Sequence, residues 1–135
     1  MKSEKKDFIC LIVHVNDEPL AFLYGYDYES DPDSFFLDEI ATRIEGKGVG
    51  KVLIVLLLVY CFELDYAYVT LYTENKDGKK LREFYEHLGF RFIEEDAVVG
   101  VVMRYQIEES ELLKLYTRVM YPEGGLHPPY LKSDY

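Results

Sequence analysis

Between Val49 and Leu64 the chain carries only two charged side chains, Lys51 and Glu63. A helix there has no polar stripe to turn toward water, so it must be covered on most sides. The β-branched content argues for a strand, but sixteen residues are too many for an ordinary one. Its longest unbroken apolar run, Val52 to Phe62, has eleven residues, well short of the roughly 18 a bilayer-spanning helix needs. The segment therefore reads as a buried helix, which requires a sheet beneath it and further elements beside it.

The flanking sequence supplies them. Phe8 to Val15 (FICLIVHV) is rich in β-branched and aromatic residues, as a strand is. Asn16-Asp17-Glu18-Pro19 reads as a turn, with Leu20 to Tyr28 returning to complete a hairpin. After the break ESDPD, Ser34 to Ala41 is a third strand and Tyr66 to Thr73 a fourth. Asp77 to Leu88 is an amphipathic helix with Leu81, Phe84, Tyr85 and Leu88 along one stripe, and Gly89 stands where a helix-terminating glycine belongs. Phe90 to Glu94 and Val98 to Ile107 read as strands with Glu95-Asp96 between them. Glu108 to Tyr121 is a last helix, with Leu112, Leu113, Tyr116 and Met120 on its apolar side. The alternation of strands and helices makes this an α/β chain.

Its 135 residues suffice for one domain with a substantial core. A formal net charge of −10 argues against nucleic acid or an anionic membrane as the main partner, since both need a basic footprint. It suits cationic acceptors such as amines, and equally a surface that is simply soluble. Cys10 and Cys61 both lie in apolar runs and read as reduced, buried thiols of a cytoplasmic protein. The N-terminus MKSEKKDF lacks the apolar region and cleavage site of a targeting signal.

The third strand leads into Glu45 to Lys51 (EGKGVGK), a glycine loop opening the apolar helix. Backbone N–H groups can converge on a phosphate at such a place. A nucleoside-triphosphate loop is excluded, because Gly46 and Gly50 are separated by only three residues and Val52 replaces the magnesium-binding hydroxyl. A dinucleotide loop fits poorly, because Gly46, Gly48 and Gly50 give G-x-G-x-G rather than G-x-G-x-x-G. A purely structural glycine turn remains open on these residues alone.

With GKGVGKVLIVLL followed by a strand ending near Asn75, by FYEHLGF (Phe84 to Phe90) and by VVMRYQI, the chain resembles the GNAT superfamily of acetyl-CoA-dependent N-acetyltransferases. The resemblance covers roughly Phe8 to Ile107. It implies a mixed, mostly antiparallel sheet with helices packed on it, as an acetyltransferase domain over residues 1–107. Residues 108–135 then form a C-terminal helix and an extended tail that pack on the same domain or on a partner subunit. The chain begins at what would be the family's second strand, without the first strand and helix pair that wall the acceptor site. A partner subunit, as in a homodimer, or the tail from Glu108 to Tyr135 would then have to wall it.

The resemblance also implies direct transfer of acetyl from acetyl-CoA to the amine of a small molecule or protein. The pyrophosphate cradle would be the backbone of Gly46, Lys47, Gly48, Val49, Gly50 and Lys51. Glu45 stands where the family carries Gln or Arg; in an alternative register, Arg43 takes that place. Replacing Glu45 by Gln is expected to tighten CoA binding. The pantetheine arm would pair with the backbone of Ile40, Ala41 and Thr42, with Asn75 nearby. Tyr85 matches the tyrosine that serves the departing sulfur, against its reading as a core aromatic on the helix stripe. Asp38 and Glu39 are the candidate bases; alternation along the strand turns one of them toward the cleft. His14, His87 and His127 show no metal-ligand spacing, so no metal is expected. A second reading is a catalytically inactive CoA-binding or interaction module of the same fold.

Overall fold

The computed structural model describes residues 6–43, 48–73 and 78–122. Nine elements follow in the order β1 (Phe8–Val15), β2 (Glu18–Asp27), β3 (Ser34–Thr42), α1 (Val49–Glu63), β4 (Tyr68–Thr73), α2 (Gly78–Leu88), β5 (Arg91–Asp96), β6 (Gly100–Gln106) and α3 (Glu109–Met120). The strands form one six-stranded sheet in the order β1-β2-β3-β4-β6-β5. Only β3 and β4 run parallel, joined by α1 as the crossover helix; every other pair is antiparallel. The expected α/β fold with a mostly antiparallel sheet is the one observed.

The first hairpin is tighter than expected. Asn16 and Asp17 both adopt positive φ (53° and 66°), the signature of a two-residue turn whose twist matches that of the strands. Glu18 and Pro19 therefore belong to β2, paired with Val15 and His14. At the other edge Glu95 and Asp96 complete β5. The reversal falls at Ala97 to Val99, where the Asp96 carboxylate accepts the backbone N–H groups of Val98 (2.7 Å) and Val99 (3.1 Å).

Alternation along each strand splits the sheet into two faces. Ala21, Leu23, Phe35, Leu37, Val69, Leu71, Val101, Met103 and Tyr105 share one core cluster with residues of all three helices. From α1 come Leu53, Ile54, Val55, Leu57, Leu58 and Cys61, which is why that helix has no polar stripe. From α3 come Leu112, Leu115 and Met120, while Leu113 is 64% exposed and faces away from the core, contrary to expectation. Leu81 of α2 is likewise exposed.

The opposite face bears the other set of side chains, including Phe22, Tyr24, Tyr26, Phe36 and Tyr72, none of which enters that cluster. Tyr66 does not join them. It precedes β4, is buried, and meets Phe35 edge-on at 5.4 Å on the helix side. Cys10 is exposed and Cys61 buried, so only one of the two thiols lies in the core.

The end of α2 explains FYEHLGF physically. Phe90 N–H donates to the Tyr85 carbonyl (3.0 Å) and Gly89 N–H to the Glu86 carbonyl (3.0 Å), with Gly89 at φ 107°. This is a Schellman cap, and its hydrophobic contact is the Tyr85–Phe90 ring pair at 5.4 Å. A Cβ at Gly89 would also press on the Tyr105 ring at 3.0 Å. The tyrosine, glycine and phenylalanine of the motif are thus one helix-stopping unit.

Candidate functional site

The parallel pairing of β3 with β4 runs from Ser34↔Tyr68 to Leu37↔Leu71 and stops there. Beyond it, β3 stays paired with β2 as far as Thr42, and β4 stays paired with β6 as far as Thr73. The two central strands therefore part, and alternate backbone groups of β3 from Asp38 to Thr42 have no β4 partner. Ile40, Ala41 and Thr42 lie on this free stretch and are half-buried.

A bulge starts the separation. Tyr24 pairs with Glu39 but Gly25 with Leu37, which leaves Asp38 as the extra residue. Gly25 is required there, because an added Cβ would run into the Phe36 carbonyl oxygen and the Phe35 ring. The expectation that only one of Asp38 and Glu39 faces the cleft is corrected by this bulge. Both carboxylates are exposed and both reach tyrosines of the open face: Tyr26 Oη donates to Asp38 Oδ2 at 2.6 Å, and Tyr24 Oη to Glu39 Oε1 at 3.4 Å. The Asp38 hydrogen bond pushes the Tyr26 hydroxyl up to about 12, and the Asp38 charge raises that of Tyr24.

The N-terminus of α1 opens close to the same place. Gly48 is its N-cap (φ 78°), no side chain among the described residues caps the first turn, and no acidic residue lies in it. Lys51 is exposed in that first turn, where the helix dipole by itself favours an anion. A Cβ built at Gly50 would lie 3.9 Å from the Thr42 methyl and 3.7 Å from the Phe84 ring. The free end of β3, the start of α1 and the middle of α2 thus converge. Val49, Gly50 and Lys51 stand as expected at the helix start; Glu45, Gly46, Lys47 and Asn75 lie outside the described residues.

Tyr85 is 5% exposed, packed edge-on against Phe84 (5.1 Å) and Phe90 (5.4 Å), and its burial pushes the hydroxyl up to about 12. Two residues at the end of β4 lie where the strands part: Thr73, which the sequence did not single out, and Tyr72, one of the strand aromatics that could wall an acceptor pocket. Thr73, the last residue of β4, is 3% exposed, and its Oγ1 has no hydrogen-bond partner among the described residues. Tyr72, on the open face, shares a 2.7 Å hydrogen bond with the Tyr28 hydroxyl and is pushed up to about 12, chiefly by burial. An orphaned buried hydroxyl is costly, and a bound group that reaches it recovers the loss.

Residues 2–90 match the model of the acetyltransferase (GNAT) family. No curated protein matches the chain. Among solved structures, a PaiA N-acetyltransferase of Thermoplasma acidophilum in complex with coenzyme A aligns at 16% identity and TM-score 0.66, over 75% of this chain and 62% of that one. A structure assigned as a streptothricin acetyltransferase of Bacillus anthracis, in complex with acetyl-coenzyme A, aligns at 19% identity and TM-score 0.68, over 78% and 65%. The ribosomal-protein-S18-alanine N-acetyltransferase of Escherichia coli aligns at 18% identity and TM-score 0.63, over 79% and 74%. The chain spans less than two thirds of the first two of these proteins. At such identities the structures share the fold, and the family match extends over most of the sequence that builds it. The chain belongs to the GNAT acetyltransferase family.

Proposed function

We propose that this chain transfers an acetyl group from acetyl-CoA to an amine. The observation that carries the reading is the parting of β3 from β4 after Leu37↔Leu71, beside a helix N-terminus with no capping side chain among the described residues. The residues present fit the ligand. The first-turn N–H groups of α1 and the Lys51 ammonium suit a pyrophosphate, and Gly46 and Lys47 of the loop would join them, with the Glu45 carboxylate opposing the anion. The edge of Ile40, Ala41 and Thr42, which has no β4 partner among the described residues, suits the amides of the pantetheine arm, and Asn75 is assigned to the same arm by the family resemblance alone. The Thr73 hydroxyl, without a partner among the described residues, offers that arm a donor or acceptor.

When bound, acetyl-CoA supplies a thioester carbonyl carbon that bonds to the amine nitrogen as the carbon–sulfur bond breaks. The attacking nitrogen must shed a proton and the departing thiolate must gain one. Asp38 and Glu39, exposed where the strands part, accept the first, directly or through water. Tyr85 holds its proton at neutral pH, so its hydroxyl serves as the donor to the sulfur. Replacing Tyr85 by Phe should then lower kcat and change its alkaline limb; an unchanged kcat across pH removes Tyr85 from this role.

A thermal-shift and thiol-release assay with acetyl-CoA and a panel of amines tests the whole reading. Ligand at a hundredfold over Kd should stabilise the fold by about 2.7 kcal/mol, with thiol released on at least one amine. No stabilisation at saturating CoA would sink the reading. Stabilisation without release on any amine would identify a CoA-binding module instead.

A further inference from the structure

The face of the sheet turned away from the helices is an array of aromatic rings. Tyr24 stacks between Phe8 (6.2 Å) and Phe22 (6.3 Å, planes within 6°), and Phe36 contacts Tyr28 (5.3 Å) and Tyr72 (4.8 Å). These rings cover β1 to β4, which at about 4.8 Å per strand is roughly 14 Å across, and Phe22 to Tyr28 spans roughly 20 Å along the chain. Phe8 is 65% exposed, and Ile12, four residues further along the same face of β1, is 51% exposed. Phe8, Ile12 and Tyr26 are exposed, Phe22, Tyr24, Tyr28 and Tyr72 half-buried and Phe36 buried. The apolar surface open to a partner therefore centres on β1 and β2, and a contiguous apolar surface of this kind is characteristic of a binding site.

Its charge says what kind of partner fits. Asp38 and Glu39 sit among the rings, and no lysine, arginine or histidine among the described residues lies within ion-pair distance of either. The same face already shows how it holds a cation. The Arg104 guanidinium lies 4.6 Å over the Tyr68 ring and 3.9 Å from the Asp31 carboxylate. Ring plus carboxylate is the combination that Tyr24, Tyr26, Asp38 and Glu39 offer a second time, at the point where the strands part.

We propose that this face docks a polypeptide segment bearing lysine or arginine side chains, and so brings the acceptor amine to Asp38 and Glu39. The proposal rests on the acetyl-transfer reading for what happens next, not for the docking itself. A second copy of the chain is a poor occupant: each carries −10, and a two-fold contact would set these carboxylates against their own kind. A free polyamine would satisfy the carboxylates but leave the stacked rings of β1 and β2 uncovered, whereas a peptide with alternating cationic and apolar side chains covers both.

The test is binding to the full chain saturated with CoA, read by anisotropy of a labelled eight-residue peptide alternating lysine and leucine. Its control replaces each lysine by glutamine, and spermidine serves as a competitor. The lysine peptide should bind at least tenfold more tightly than the control. That margin should shrink as ionic strength rises from about 0.1 to about 1 M, where the screening length falls from ~10 to ~3 Å. The D38N/E39Q double variant should lose about tenfold in affinity with an unchanged melting temperature, and Tyr24→Leu should weaken binding while keeping apolar bulk.

Equal binding of the two peptides, or an unaffected double variant, would overturn the proposal. Displacement by spermidine at equal or lower concentration would make this a polyamine site, and a dimer that excludes the peptide would make it a self-interface; either result also overturns it. The CoA thermal shift, measured on the same samples, fails separately if the acetyl-transfer reading is wrong.

Discussion

On the helix side of the sheet, Phe35 and Tyr66 meet edge-on in a core that also holds Leu57, Leu58 and Met103. On the other side, Tyr28 and Tyr72 meet hydroxyl to hydroxyl, and Tyr24 and Tyr26 give their hydroxyls to carboxylates. Neighbouring residues of one strand go to opposite sides, as Leu23 and Tyr24, Phe35 and Phe36, and Leu71 and Tyr72 do. Rings on the first side are held chiefly by hydrophobic burial, although the Tyr66 hydroxyl also donates to Asp7 Oδ2 at 2.8 Å, and rings on the second by one another and by polar contacts at their tips. Stability should therefore reside in the first face and recognition in the second.

The sharpest way to break that contrast is to truncate one side chain on each face. Leu57, fully buried in α1, should cost about 2–5 kcal/mol when replaced by Ala, because a cavity forms among neighbours that cannot close it. Phe22→Ala on the open face should cost about 1 kcal/mol, since much of that ring's surface is not withdrawn from water. Guanidinium denaturation of both variants checks this. Equal losses would mean the open face is as well covered as the core.

Alkaline titration sharpens the same contrast. Tyr85 has an ordinary pKa near 10 when unfolded and about 12 when folded, raised by burial. The folded state thus binds more protons between these values. The stability this group provides is complete below pH 10 and is lost as pH rises toward 12; by about pH 11 the loss is about 1.4 kcal/mol. Tyr85→Phe should flatten the fall in stability between pH 9 and 11, measured by urea unfolding. Tyr26 is also raised to about 12, but by its hydrogen bond to Asp38 in solvent, so Tyr26→Phe should flatten the fall much less.

How much of this was legible in the sequence follows the same division. Most elements were legible because they bury one side in a common core, α1 through its length and lack of a polar stripe, and β5, exposed along nearly its whole length, through its composition and the turn that follows. β1 was legible to the residue, and Gly89 marked the Schellman cap through its position alone. Features set by pairing were not legible. The bulge at Asp38 exists because Gly25 on the neighbouring strand lets the Phe36 carbonyl approach, a contact between residues eleven apart. Alternation alone therefore assigned the two carboxylates to opposite faces. Cys10 sits in as apolar a run as Cys61, and only the lack of a described helix over the open face leaves it exposed. Leu113 and Leu115 compete for one helix stripe, and the seat of α3 against α1 decides for Leu115. In the candidate site, the junction of Gly48, Val49, Gly50 and Lys51 with a helix start was visible in the sequence, and Ile40, Ala41 and Thr42 entered it through the resemblance. Nothing in the sequence marked Thr73, since a threonine ending a strand is unexceptional until its partner is found missing.

Thr73 gives the smallest effect and the most specific one, because its two consequences have opposite signs. Its buried Oγ1 has no partner among the described residues, so in the free protein the hydroxyl costs stability. Thr73→Val keeps the branched shape, removes the polar atom and should stabilise the unliganded chain by about 1 kcal/mol. If the hydroxyl meets the pantetheine arm where β3 and β4 part, the same change should weaken CoA by roughly fivefold, within the ~0.5–1.5 kcal/mol of one net hydrogen bond. A threonine that only packs would show the gain without the loss. Melting of the free protein together with calorimetric CoA affinity reads both signs, and an unchanged affinity would place the arm elsewhere along the cleft.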